Sequence, residues 1–305
     1  MKFRTEIEIP GFSHKLVHGN SIISLGSCFS VNIGEKLSYY GFDVLNNPFG
    51  TLFHPLSIAN VISQSIHPKQ GRFCQRDSLY FSYDVHSSIH AQTESDLANS
   101  LAAIHQQFLS KFTKATLCII TFGSAWGYYK DGELVANCHK MPAKLFKKEL
   151  TDFTEMHTRW IQVIHELKQL NPSIHFLFSV SPVRHLKDGT VENSLSKARL
   201  IELAHSLNQS YFPAFELIMD DLRDYRFYKD DLLHPTPFAI DYVFEKFAHA
   251  LIDAEASQLF PLINKLRRAE QHHIMQESES ARVFSSNTQA QIQQFIQDNP
   301  SVVWK

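Results

Sequence analysis

With 305 residues, 44% hydrophobic and 20% charged, the chain can bury a large core and is too apolar to stay disordered. Its net charge of -2 offers no single-sign field for nucleic acid or an anionic membrane. No window approaches the roughly 18 apolar residues of a membrane span, and Met1 to Pro10 lacks a signal h-region, so a soluble cytoplasmic protein is expected.

The alternation of Phe3 to Ile9 predicts an edge strand. Ser21 to Leu25 is the first core strand and ends in Gly26-Ser27-Cys28. Val31 to Tyr40 reads as a helix that Gly41 stops. A short strand, Phe42 to Leu45, leads into the turn-rich loop Asn46 to Thr51, and Pro55 to Ser65 is helical. The aromatic and β-branched stretch from Phe73 to His90 reads as an extended insertion over the sheet. Thr93 to Lys111 spaces its apolar residues for a helix face, and Leu117 to Phe122 is a central strand, apolar throughout.

Tyr128 to Val135 is a hairpin turned at Asp131-Gly132. Leu150 to Leu170 is a long amphipathic helix, and Ile174 to Val180 is the fourth core strand. A helix over Ser194 to Ser210, a fifth strand over Phe212 to Met219 and a helix over Pro237 to Asp253 follow. The remainder reads as helical and amphipathic, and His272-His273 lies on its polar tail, Gln271 to Gln297, as a solvated pair.

Strands alternating with helices imply a parallel sheet covered on both faces. We expect a flavodoxin-like three-layer α/β/α sandwich of about five strands. The expected domain spans 1–255, with an insertion at about 70–92 and a hairpin at about 126–142, and a helical extension fills 256–305. Ligands of such a sheet bind at the carboxyl ends of its strands. Gly26 to Cys28, Asn47 to Gly50, Gly123-Ser124, Ser181 to His185 and Asp231 to His234 all fall at those ends, on one rim.

A nucleophile at a strand–turn–helix junction faces the free N–H groups of the first helical turn. Either Ser27 or Cys28 can fill that role. A hydroxyl needs an adjacent base, whereas a thiol is already partly ionised and a helix N-terminus lowers its pKa further. His234 is the best base, and Asp231, three residues earlier, is placed to orient it. The turn N–H, the Gly50 N–H and an amide such as Asn137 would hold an oxyanion. Asn47 and Ser124 share that rim, His139 lies beside Asn137, and Arg184 can hold an anionic substrate group. Trp126 and the Tyr128-Tyr129 pair read as packing.

Cys28, Cys74, Cys118 and Cys138 are spaced too widely for a zinc or redox motif, and Cys118 reads as core. There is no H-E-x-x-H and no P-loop or dinucleotide fingerprint. We expect no cofactor and no metal.

Gly26-Ser-Cys-Phe-Ser30 resembles the signature of the GSCFA family, with Ser30 where the family name has Ala. Asn47 to Thr51, Ala136 to Lys140, Ser181 to Arg184 and Tyr225 to Pro235 resemble its other blocks, so the likeness runs from about Ser21 to Phe247. The family resembles the SGNH or GDSL hydrolases, which implies a Ser-His-Asp triad whose Asp and His share an Asp-x-x-His block. Asp231 and His234 match that block, and Gly50 resembles the oxyanion glycine of the second. The relatives read Gly-Asp-Ser at the turn, which puts Cys28 in the nucleophile register. Their third-block asparagine is missing from Gly123-Ser124-Ala125, and Asn137 is the nearest substitute.

The resemblance implies an acyl hydrolase or acyltransferase acting on a small ester, such as an O-acyl group of a carbohydrate, through Cys28 (or Ser27), His234 and Asp231. The alternative is an ester- or glycan-binding module on the same rim. A third reading gives the C-terminal helices an assembly role, including pairing of two copies. No nucleic acid or membrane partner is expected.

Overall fold

Uninterrupted apolar runs make strands that must be buried on both faces, and these strands form the centre of the molecule. The computed structural model describes residues 4–271 and 279–304; His272 and His273 lie outside the described residues. Strand β1 (Ser21–Gly26) feeds helix α1 (Cys28–Tyr39), followed by β2 (Asp43–Asn46) and α2 (Pro55–Ile66). The insertion is an antiparallel sheet of β3 (Phe73–Arg76), β4 (Leu79–Ser82) and β5 (His90–Ala91). Then come α3 (Glu94–Phe112) and β6 (Leu117–Phe122). A second antiparallel sheet contains β7 (Trp126–Lys130), β8 (Glu133–Val135) and β9 (Lys147–Leu150). Helix α4 (Phe153–Leu170), β10 (His175–Val180), α5 (Thr190–Ser206) and β11 (Ser210–Tyr211) follow. The short helix α6 (Ala214–Glu216) runs into a π-helical turn (Leu217–Asp221). Last are α7 (Pro237–Leu251), α8 (Ala254–Gln258), α9 (Phe260–Glu270) and α10 (Glu279–Asp298).

The main sheet is parallel and ordered β11-β10-β6-β1-β2. Successive side chains point to opposite faces. Ile23, Cys118, Ile120 and Phe178 therefore pack with Trp160 on one side, while Ile22, Ile119 and Leu177 pack with Phe29, Leu37 and Phe247 on the other. The chain leaves β1 toward β2, then returns on the other side of β1 to form β6. The strand order reverses between β1 and β6, and a ligand crevice opens outside the carboxyl ends of two such strands. Register pairs Gly26 with Thr121 there.

Three expectations are corrected, and one strand lies where no element is expected. Residues 4–9 form no strand; Ile7 and Ile9 pack on the core, and Glu6 pairs with Lys246. The fifth strand is Ser210–Tyr211, because Pro213 cannot donate to a ladder and the chain turns helical after it. Helix α5 starts at Thr190 after Gly189, earlier than the pattern predicts. Strand β9 pairs with β7 in a stretch for which the sequence names no element. In the C-terminal extension, Ile263, Leu266, Ile292, Phe295 and Val302 form a separate small core. It docks where Val303 N–H donates to Gly41 O at 2.8 Å.

Candidate active site

The turn after β1 is shaped by contacts only glycine permits. Gly26 has φ +131°, and a Cβ there would overlap the Thr121 carbonyl. Ser27 is fully buried. Its N–H donates to Thr121 O at 3.1 Å, and its Oγ accepts from Phe29 N–H at 3.3 Å as the N-cap of α1. Cys28, the first helical residue, is partly exposed and its thiol is free. Burial pushes that thiol's pKa up, outweighing its own backbone N–H and the nearby Lys229 ammonium, which pull it down. This corrects the expectation that the helix N-terminus would dominate.

Asn47 holds the turn in place. Its backbone is left-handed at φ +44°, its Oδ1 accepts the Gly26 N–H at 2.8 Å, and its Nδ2 donates to Ser30 Oγ at 2.9 Å. Both ends of the amide are used, so Asn47 supports the turn from behind. The Gly50 N–H donates to Asn47 O at 2.8 Å and is closed inside its own turn, contrary to the oxyanion role expected of it. Leu52 N–H donates to Gly26 O at 2.9 Å, and Gly123 and Ser124 N–H both donate to Phe53 O. Residues 51–53 thus bridge the ends of β1 and β6. Within the described residues, the Thr51 N–H carries no hydrogen bond, and the Cys28 N–H faces its own thiol. Ser124 is buried, and its Oγ accepts Trp126 N–H at 3.1 Å in a local turn.

Asp231 and His234 meet as the spacing requires. His234 Nδ1 lies 2.7 Å from Asp231 Oδ2, while Leu233 and His234 N–H donate to Asp231 Oδ1 at 2.8 and 3.0 Å. Leu232 sits between them at φ +57°, a costly conformation for leucine that turns both N–H groups back onto the carboxylate. Those N–H groups and the imidazole hold the Asp231 carboxyl down at about 2. The His234 side chain is 39% exposed, so the pair is open to solvent. The loop is anchored twice, by Lys229 N–H to His234 O at 2.8 Å and by Arg184 N–H to Leu233 O at 3.2 Å. Lys229 also lies near Cys28, so the loop and the turn are neighbours.

Two expected residues serve the small sheets instead. His139 is 1% exposed; its Nε2 pairs with Ser82 O at 2.7 Å, its Nδ1 with Ser87 Oγ, and its ring stacks on Phe81. Burial lowers its pKa, and it fastens the loop after β8 to the insertion. Asn137 Oδ1 accepts the His139 N–H in that loop. The Arg184 guanidinium lies near the Tyr228 hydroxyl.

Lys197 was missed by sequence reasoning, which placed His185 on the rim without giving it a role. His185, edge-on to Phe53, has a buried Nε2 with no partner among the described residues; burial first, then the neighbouring Lys197, His234 and Lys148, lower its pKa to about 3. Lys197 is 2% exposed under the rim. Its sequence signal was its place on the buried stripe of α5, three residues before Leu200.

The model of the GSCFA family matches residues 21–247. Among curated proteins no match is found. Among solved structures the chain is similar to the psychrotrophic esterase EstA from Pseudoalteromonas sp., inhibited by monoethylphosphonate, at 12% identity and TM-score 0.37, covering 76% of this chain and 96% of that one. It is similar to a peptidoglycan O-acetylesterase at 14% identity and TM-score 0.31, covering 52% of this chain and 41% of that one. It is also similar to the acetyl xylan esterase Est2A from the rumen bacterium Butyrivibrio proteoclasticus, at 13% identity and TM-score 0.34, covering 85% of this chain and 66% of that one. At these identities and scores, no activity transfers from any of the three.

Proposed function

The chain belongs to the GSCFA family, and from that premise we propose that it is an acyl hydrolase or acyltransferase that works on a small ester through Cys28, His234 and Asp231. The observation that carries the reading is the His234–Asp231 pair at 2.7 Å, on a rim loop beside the N-terminus of α1. An exposed imidazole held on one nitrogen by a carboxylate keeps its other nitrogen free for proton transfer. Cys28 is the nucleophile, since Ser27 is buried and its Oγ caps α1.

In the first half-reaction Cys28 Sγ attacks the ester carbonyl carbon and its proton passes to His234 Nε2. The oxyanion is held by the Cys28 and Thr51 N–H groups, and the Thr51 N–H has no other partner among the described residues. The carbon–oxygen bond then breaks, and His234 returns the proton to the leaving oxygen. A thioester remains on Cys28. Water or a second alcohol, deprotonated by His234, attacks that thioester and releases the acid or the new ester, with the proton returning to the thiolate. O-acyl groups of a carbohydrate are one substrate class that fits this chemistry. Turnover of p-nitrophenyl acetate by the wild type, lost in both Cys28→Ala and His234→Ala with the fold intact, is the test.

A binding module is the second reading. It is favoured by the upward push on the Cys28 thiol and by the closed Gly50 turn. A protein that binds acetylated sugars saturably yet turns over no activated ester would support it.

A further inference from the structure

Helix α5 buries Asn193, Ser196, Lys197, Leu200, Leu203 and Ala204 along one stripe. A lysine on such a stripe normally snorkels outward. Lys197 instead stays inside, 2% exposed, and burial lowers its pKa to about 7. Its Nζ donates to Gly123 O at 2.7 Å and to Ser181 O at 2.8 Å. Both acceptors are backbone carbonyls, and among the described residues no carboxylate pairs with it. Burying an amine without a counter-ion costs stability, so its gain must lie elsewhere.

The two carbonyls follow the carboxyl ends of β6 and β10. From Gly123 the connection runs toward the nucleophile: Gly123 N–H donates to Phe53 O, and Leu52 N–H donates to Gly26 O at the Cys28 turn. From Ser181 it runs toward the base: three residues on, Arg184 N–H donates to Leu233 O, beside His234. Lys197 bridges the two segments through both carbonyls, alongside the Ser181 N–H bond to Phe122 O at 2.8 Å and the edge-on contact of His185 with Phe53.

We infer that Lys197 is the positioning residue of the site, locking the segment behind Cys28 to the segment that carries the His234 loop. The inference rests on the catalytic reading above only for its kinetic consequence. Misplacement of a base by about 1 Å costs about 100-fold in rate, so a lock of this kind governs kcat rather than binding.

Lys197→Met keeps the stem and removes the donor, and Lys197→Gln is the second variant should Met not fold. Two measurements are made on the full chain. In hydrogen exchange, the amides of Gly123, Leu52 and Arg184 are expected to exchange faster in the folded variant, with α7 unchanged. In p-nitrophenyl acetate hydrolysis, kcat is expected to fall about 100-fold with KM unchanged, and butylammonium added to Lys197→Ala is expected to restore part of it. A folded variant with unaltered exchange at those three amides overturns the inference, as does wild-type kcat. If the wild type itself hydrolyses no ester, the catalytic reading fails, and exchange alone decides whether Lys197 couples the loops.

Discussion

Asn47 and Gly26 stand 21 positions apart, and the Asn47 Oδ1 accepts the Gly26 N–H at 2.8 Å. The same amide reaches Ser30 through Nδ2. The loop after β2 therefore braces the turn after β1, and the turn that carries Cys28 is a product of two segments. Asn47→Ala removes both bonds and leaves Gly26 N–H without its acceptor. Stability should fall by about 2–3 kcal/mol in urea unfolding. An unchanged midpoint would mean that the brace contributes nothing.

The dyad should carry the proton transfers. His234→Ala should lower kcat for p-nitrophenyl acetate by about 10²–10⁴-fold, with circular dichroism unchanged. Asp231→Asn should lose rate as well, because its carboxylate is held ionised at about 2 and sets the imidazole's orientation. For the same reason, Asp231 should contribute no titration to the pH–rate profile near neutrality.

Acid stability should depend on His54. It is buried, its Nδ1 accepts Leu56 N–H and its Nε2 pairs with Thr151 Oγ1. Burial depresses its pKa from 6.5 to about 4. Between those values the unfolded chain binds the extra proton, so stability is full above about pH 6.5 and is lost as pH falls toward 4. His54→Asn, which can keep the cap, should flatten that part of the stability–pH curve. An equally steep curve would assign the loss to other groups.

Leu232 is left-handed between the two dyad residues. Leu232→Gly should raise thermal stability by up to about 1 kcal/mol, since the strain is relieved at the cost of some chain entropy. Hydrolysis should persist, because the Asp231 contacts come from backbone N–H groups and His234. A collapse of activity would show that the leucine side chain itself takes part.

The sheet was legible because parallel strands buried on both faces are written as continuous apolar runs, and β1, β6 and β10 are such runs. The Asp231–His234 pair was legible because three residues of spacing close a local loop. The roles of Asn47, Gly50 and His139 were not, since they depend on which partner each group meets across the fold. Gly50 looked like a donor, yet its N–H is used one turn back by Asn47 O. Pro213 was in plain view, and it ends the strand that the apolar run after it suggested. Lys197 was hidden because a single lysine on an apolar stripe reads as a residue at its edge.

The central claim is that Cys28 forms the acyl intermediate. Its most direct test is peptide mapping by mass spectrometry after brief exposure to p-nitrophenyl acetate at neutral pH. Cys118, buried with its pKa pushed to about 12, and Cys138, pushed to about 11, serve as internal controls. The account predicts an acetyl group on Cys28, released by neutral hydroxylamine, lost in Cys28→Ala and retained in Ser27→Ala. Ester turnover with no acetyl on Cys28, or with acetyl on Ser27, would contradict it.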